Sequence, residues 1–229
     1  KIKDRYAVHG TTSDLVPFSQ KVRVDEIFVA LPWTAQARIN SIVQAIQVIP
    51  ANIHLCPEVP NESLVRRGIS ELDGMPVVTM VSKPVSGWGY LTKWVLDKSL
   101  ALIGLVILSP LFLLVALAIK LESPGPVFFR QPRLGFNNRL MMIYKFRSMY
   151  HGQRDLNASK LATRGDPRVT RVGRIIRRLS IDELPQLLNV LNGDMSLVGP
   201  CPPLPSEVDR YGFGMHCRFL VKPGLTGLW

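Results

Sequence analysis

Residues 99–121 constrain this chain more than any other segment. They are rich in Leu, Ile, Val and Ala and carry one charge, Lys120. A helix of that length rises about 1.5 Å per residue and reaches roughly 30 Å, the thickness of a bilayer's hydrocarbon. The segment starts near position 100, so it is no signal peptide. The alternative is the core helix of a soluble domain, and it is disfavoured because apolar character all round a helix is rare in such domains. Ser109-Pro110 falls in the middle. Proline removes a helical hydrogen bond and crowds the preceding turn, so a kink is expected at Ser109 and Pro110. A kinked helix either spans the bilayer or dips into one leaflet and returns, and composition leaves both open. Lys98 and Lys120 flank the two ends symmetrically. Only the basic block that follows places the carboxyl-terminal side in the cytoplasm.

That block holds the chain's excess charge. The whole sequence has 28 Lys+Arg against 17 Asp+Glu, net +11, and residues 129–178 alone carry an excess of that size. Such a block needs an anionic partner: nucleic acid, anionic lipid or a phosphorylated substrate. Three widely spaced cysteines, Cys56, Cys201 and Cys217, form no CxxC pair, so neither a disulfide framework nor a zinc ribbon is indicated, and a reduced, cytoplasm-facing setting follows.

Ahead of the apolar segment, residues 1–22 read as a polar leader. Val24 to Leu31 reads as a buried strand, Ala35 to Ile49 as a helix with Ile39, Ile42, Val43 and Ile46 at helical spacing, and 53–56 and 76–81 as short strands. Strand–helix–strand order makes 23–82 a small α/β domain. It has no GxGxxG and no phosphate-binding lysine loop. Residues 83–92 are Pro/Gly-rich and read as a linker, 93–122 as the membrane helix and 123–229 as a further, mostly helical domain. The fold class is thus α/β (α+β).

In the last domain, Val127 to Arg130 and Met142 to Arg147 are strand-like, and the run from Ile181 to Leu191 is helical in pattern. Ser180, Asp182 and Glu183 admit two readings. Structurally, Ser-x-x-Glu before an apolar run is a capping box with Ser180 at N-cap and Glu183 at N3, and acidic residues suit a first helical turn. Chemically, adjacent carboxylates near Arg174, Arg177 and Arg178 are expected to stay ionised. An ionised Asp182 is a usable nucleophile toward phosphorus, Glu183 and Asp182 suit Mg²⁺, and the surrounding Arg and Lys suit the oxygens of a diphosphate.

From Lys93 onward the chain resembles the bacterial sugar transferases, the monotopic polyprenyl-phosphate phosphoglycosyl transferases. The resemblance is carried by Lys93 and Asp97, the Ser109-Pro110 helix, Ser123-Pro-Gly-Pro-Val-Phe-Phe-Arg-Gln131 and Arg133-Leu-Gly135. It continues through Lys145-Phe-Arg-Ser-Met149, Asp166-Pro-Arg-Val-Thr170, Ser180-Ile-Asp-Glu-Leu-Pro-Gln186, the run from Asn189 to Pro200, and Lys222-Pro-Gly-Leu-Thr-Gly227. Residues 24–82 resemble the degenerate Rossmann-like domain of longer members. The resemblance implies transfer of a sugar-1-phosphate from a UDP-sugar to polyprenyl phosphate with release of UMP, the step that opens assembly of exopolysaccharide and related glycans. It implies Asp182 as nucleophile, Glu183 and Asp182 at Mg²⁺, and Lys145, Arg147, Arg168 and Arg177 at phosphate. It also implies a re-entrant membrane helix in the bacterial inner membrane with the catalytic domain facing the cytoplasm, a homodimer as one assembly, and no nucleic-acid partner. The alternatives are a membrane-tethered basic module for anionic lipid or nucleic acid, or an inactive scaffold relative.

Departures from the family pattern are specific. Gly199-Pro-Cys201-Pro202 stands where the family reads Gly-Pro-Arg-Pro, so a bidentate phosphate donor is replaced by a thiol. Trp94 stands where an Arg often follows the Lys, and suits the headgroup level. The chain is expected to be part of a longer protein. His9, His54, His151 and His216 are scattered and read as structural, Met141-Met142 as packing, and Arg154 and Lys160 as a solvated loop face.

Overall fold

The computed structural model describes residues 10–56, 70–72, 75–83, 87–153, 166–208, 211 and 213–227; Arg154, Lys160 and His9 lie outside them. Two compact units are present, Lys1–Val85 with Phe219–Val221, and Ser86–Arg218 with Lys222–Trp229.

In the first unit, helix α1 (Leu15–Lys21) precedes strand β1 (Glu26–Val29), helix α2 (Gln36–Ile46) and strand β2 (Asn52–Leu55). β1 and β2 pair in parallel, Glu26 opposite Asn52 through Val29 opposite Leu55, so α2 is the crossover between them. Ile39 and Ile46, two turns apart on α2, bury against Val29, Ile49, Ala51, Ile53 and Leu55. The sheet then becomes antiparallel, in the order β1-β2-β4-β3, with β3 (Ser70–Leu72) and β4 (Met75–Val81). β3 escapes the sequence reading, although Asp73-Gly74 between two short runs is a hairpin signal. His54 is structural, as expected: it is buried in β2, with Nε2 2.5 Å from Glu26 Oε2 and Nδ1 3.1 Å from Thr79 Oγ1.

The second unit opens with helix α3 (Gly87–Glu122), one helix long and apolar enough to cross a membrane. It begins inside the segment read as a linker, because extending a long helix by a turn costs far less than nucleating one. Helical backbone continues through Ser109 and Pro110. The reason is local. Pro110 has no N–H for the carbonyl of Val106, one turn back, and Ser109 Oγ donates to that carbonyl at 2.8 Å. The serine thus meets the acceptor that the proline leaves open, which matters most where no water reaches the backbone.

One stripe of α3 packs on the rest of its unit. Ala101, Leu105 and Leu108 meet Ile143, Leu187, Val190 and Met195, and Leu111, Phe112, Val115 and Ile119 meet Phe146, Ile176, Val127 and Val172. The opposite face, including Leu102, Val106, Ile107, Leu113, Leu114, Leu117 and Leu121, is exposed. Strands β5 (Phe128–Leu134) and β6 (Leu140–Phe146) form an antiparallel hairpin in unbroken register, from Phe128 opposite Phe146 to Leu134 opposite Leu140. Helices α4 (Arg171–Arg178) and α5 (Leu187–Asn192) follow, and β7 (Ser196–Val198) pairs in parallel with β8 (Gly224–Thr226).

Candidate active site

Two elements bring the dyad and its cation together. β6 supplies Lys145, and the turn after α4 supplies Asp182 and Glu183. Thr170 caps α4, its Oγ1 accepting from Gly173 N at 2.8 Å, and the Glu122 carboxylate accepts from the N–H groups of Arg171 and Val172 at 2.6 and 3.0 Å. The start of α4 is therefore tied to the end of α3.

The segment Ile181–Gln186 is a 3-10 helix, and α5 begins only at Leu187. Pro185 explains this, since it has no N–H to close an α-helical bond to Ile181. The capping-box reading of Ser180 is corrected here. Ser180 is left-handed (φ 56°, ψ 19°) and its side chain makes no cap bond. Glu183 turns to Lys145 instead, whose Nζ donates to Glu183 Oε1 at 2.6 Å.

Asn189, which opens one of the shared runs but is given no role by the sequence, holds β6 in place. It is fully buried, its Oδ1 accepts from Tyr144 N at 3.0 Å and its Nδ2 donates to the Met142 carbonyl at 2.7 Å. A polar residue inside the apolar run Leu187-Leu-Asn-Val-Leu191 was the available signal, because a buried amide demands partners.

Beside the dyad lies a cleft lined by Arg133, Ile143, Lys145, Glu183, Gln186, Cys201, Pro202 and Thr226, with the backbones of Gly199 and Gly224. Those two glycines are required by close approach. A Cβ on Gly199 would sit 2.5 Å from the Lys222 carbonyl oxygen, and one on Gly224 would sit 2.1 Å from Gly199 N.

Asp182 departs from the expectation that flanking arginines govern it. Burial pushes its carboxyl above the ordinary value; Lys145 and Arg177 pull it down, Glu183 pushes it further up, and its own backbone N–H lowers it. Burial wins because Lys145, the strongest opposing charge, is itself paired with Glu183 at 2.6 Å, and Arg177 is exposed and screened. Cys201 lies on the exposed rim, yet the protein around its thiol raises it above the usual range, against the pull of Arg133, Lys145 and Arg218.

Two of the expected phosphate ligands are placed elsewhere. Arg147 is 2% exposed and binds the end of α3. Its Nη2 donates to the carbonyls of Ile119 and Ser123 at 3.2 and 2.7 Å and to Ser123 Oγ at 3.0 Å, and its Nη1 donates to the Pro124 carbonyl at 2.6 Å. A cation there meets the last carbonyls of the helix, Ile119 shared with the Ser123 N–H, and the negative end of the helix dipole. Arg168 is paired with Asp166, Nε 3.0 Å from each carboxylate oxygen and Nη2 2.6 Å from Oδ2, which fixes the loop ahead of α4. Lys145, Asp182, Glu183 and Arg177 thus form one electrostatic group, while Arg147 and Arg168 hold its scaffold.

Among the described residues no three His, Cys, Asp or Glu side chains are grouped so as to hold a metal ion by themselves. Two adjacent carboxylates fit a Mg²⁺ shared with substrate phosphates, the usual mode for this ion, rather than a cage made by protein alone.

Comparison with known sequences bears on the same residues. The family model for bacterial sugar transferase matches residues 88–229, and that for a CoA-binding domain matches residues 1–57. An undecaprenyl-phosphate glucose phosphotransferase of Komagataeibacter xylinus is 40% identical over 226 residues, 95% of this chain and 42% of the relative. A UDP-glucose:undecaprenyl-phosphate glucose-1-phosphate transferase of Escherichia coli (strain K12) is 38% identical over 221 residues, 95% of this chain and 47% of the relative. A transferase of the same description from Caulobacter vibrioides is 53% identical over 141 residues, 60% of this chain and 52% of the relative. The chain spans about half the length of the curated relatives it matches.

Proposed function

This chain belongs to the bacterial sugar transferase family, and from that premise we propose that it moves a sugar-1-phosphate from a UDP-sugar, UDP-glucose foremost, to undecaprenyl phosphate, with release of UMP. The carrying observation is the Lys145–Glu183 pair, 2.6 Å apart on the wall of a cleft, with the part-buried Asp182 next to Glu183 in the chain.

In this reading an Asp182 carboxylate oxygen attacks the sugar-linked phosphorus. The bond to the bridging oxygen breaks, UMP leaves with that electron pair, and a phosphosugar–aspartyl acyl phosphate remains. The phosphate oxygen of the lipid carrier then attacks the same phosphorus and frees Asp182. Burial of Asp182 favours this chemistry by excluding water from the carboxylate and the acyl phosphate. Lys145 fixes the Glu183 carboxylate and lends positive charge to the developing phosphoryl charge. Asp182 and Glu183 would hold Mg²⁺ together with diphosphate oxygens, and the ion would supply further charge neutralisation. In the same reading Arg177, exposed at the end of α4, takes the lipid-borne phosphate.

We place the chain at the bacterial inner membrane with its cleft toward the cytoplasm. The packing of α3 supports a re-entrant rather than a spanning path. Ala101 and Leu105 before Pro110, and Val115 and Ile119 after it, bury against one and the same unit. A helix that crossed the bilayer would have to carry that unit's charged surface into the hydrocarbon.

The test is UMP release from UDP-sugars with undecaprenyl phosphate and Mg²⁺. Asp182→Asn is expected to abolish turnover and to form no radiolabelled phosphosugar adduct with the protein. Turnover in Asp182→Asn equal to that of the wild type would falsify the covalent mechanism.

A further inference from the structure

Arg133 carries a charge that no carboxylate neutralises among the described residues. On β5 its guanidinium donates from Nη1 to the Pro202 carbonyl at 3.0 Å and from Nη2 to Gln131 Oε1 at 3.2 Å. Both acceptors are neutral. Its Nε is buried and has no hydrogen-bond partner there. A guanidinium has more donors than these two bonds use, and a partly buried cation without a counter-ion bears a desolvation cost that an arriving anion relieves.

The neighbouring cations are differently engaged. Lys145 is paired with Glu183, Arg168 with Asp166, Arg147 holds the end of α3, and Arg218 donates to Tyr211 Oη at 2.7 Å. Arg133 also has the right position. The hairpin register pairs Arg133 with Met141 and Phe129 with Lys145, so Arg133 and Lys145 share one face of the sheet. Four residues of strand, about 13 Å of backbone, separate their rows, and both side chains line the cleft. Both are long side chains, so their charged heads can reach one anion in the cleft between those rows. Cys201, next to the Pro202 carbonyl that holds Arg133, offers no charge of its own.

We propose that Arg133 binds the diphosphate of the nucleotide sugar, its guanidinium meeting that anion in the cleft from the β5–β6 hairpin. The inference rests on the transferase reading. It makes Arg133 a substrate-binding residue, with its effect in KM for the donor more than in the chemical step.

The full membrane protein, reconstituted in nanodiscs, tests it. Arg133→Met raises KM for UDP-glucose roughly ten- to a hundredfold, the range of charge-assisted hydrogen bonds, with kcat changed only a few-fold. Adding Cys201→Arg to that variant restores most of the loss, because it returns a cation to the same cleft. An unchanged KM in Arg133→Met overturns the proposal. So does a raised KM that Cys201→Arg leaves unrestored in a protein melting like the wild type. If Arg133→Met does not fold, Arg133→Lys is used: it keeps the charge but loses the fork, KM rises several-fold, and an unchanged KM again overturns the proposal. If the wild type releases UMP from no UDP-sugar, the transferase reading fails by itself. Calorimetry with pyrophosphate then still decides Arg133, since binding must weaken at least tenfold in Arg133→Met and equal binding refutes the assignment.

Discussion

Arg147 offers the sharpest test of how this unit is built. Its side chain is 2% exposed and serves the carbonyls of Ile119, Ser123 and Pro124 and the Ser123 hydroxyl. Arg147→Met keeps an unbranched apolar stem and removes every donor. Each buried acceptor left unmet costs about 1–3 kcal/mol. The losses do not simply add, because removing a buried cation also removes its desolvation cost, and a net loss of about 3–5 kcal/mol is expected. For a chain of this size, about 2–4 °C of melting temperature follows each kcal/mol, so the second unit should melt roughly 6–20 °C lower. Thermal unfolding in nanodiscs reads this directly, and KM for UDP-glucose at a temperature where both proteins are folded reads the rest. The expected outcome is a large drop in melting temperature with KM within about two-fold of the wild type. A melting temperature within about 2 °C of wild type, together with a tenfold rise in KM, would refute the reasoning and return Arg147 to the phosphate site.

Ser109→Ala removes the donor that meets the Val106 carbonyl across Pro110; about 1–3 kcal/mol of stability should be lost, more in bilayer than in a detergent that admits water, and equal loss in both would count against a lipid setting for this turn. Lys145→Met should cut turnover roughly ten- to a hundredfold by freeing Glu183 from its 2.6 Å partner, and unaltered turnover would remove Lys145 from the site. Lys222 tests the linkage between charge and stability, because burial holds its ammonium below the usual 10.5 against the attraction of Asp97 and Asp194. The folded state binds fewer protons there than the unfolded chain, so the penalty is full below the lowered value and fades as pH climbs to 10.5. Lys222→Met should therefore gain most in melting temperature over the wild type near neutrality and less in alkali; a gain that is flat or grows with pH would contradict this.

Much of this architecture is legible in the residues themselves. The apolar run through 99–121 appears as one long helix, Ile39 and Ile46 do fall on the buried face of α2, and the β1–α2–β2 order follows the strand–helix–strand pattern. These features depend on local periodicity and on the burial of apolar surface, which short-range pattern reports. Ser180 and Glu183 fail the same kind of reading. The capping-box spacing is present, but Pro185 denies the α-helical hydrogen bond and Lys145, 38 positions away, claims the Glu183 carboxylate.

The basic block shows where pattern stops. Its charge is fixed by composition, and its need for anions follows from electrostatics alone. Yet Arg133, Arg147, Arg168 and Arg177 carry the same guanidinium and differ only in what long-range packing places beside them. Arg147 meets the end of a helix more than twenty positions away, Arg168 meets its neighbour Asp166, Arg177 meets solvent, and Arg133 meets a cleft. Sequence determined that cations gather around the Asp182-Glu183 pair behind a membrane helix. Tertiary structure decided which of them are held by carbonyls and carboxylates and which stay available to a phosphate, because burial and partner, not residue type, set the free energy of a charge.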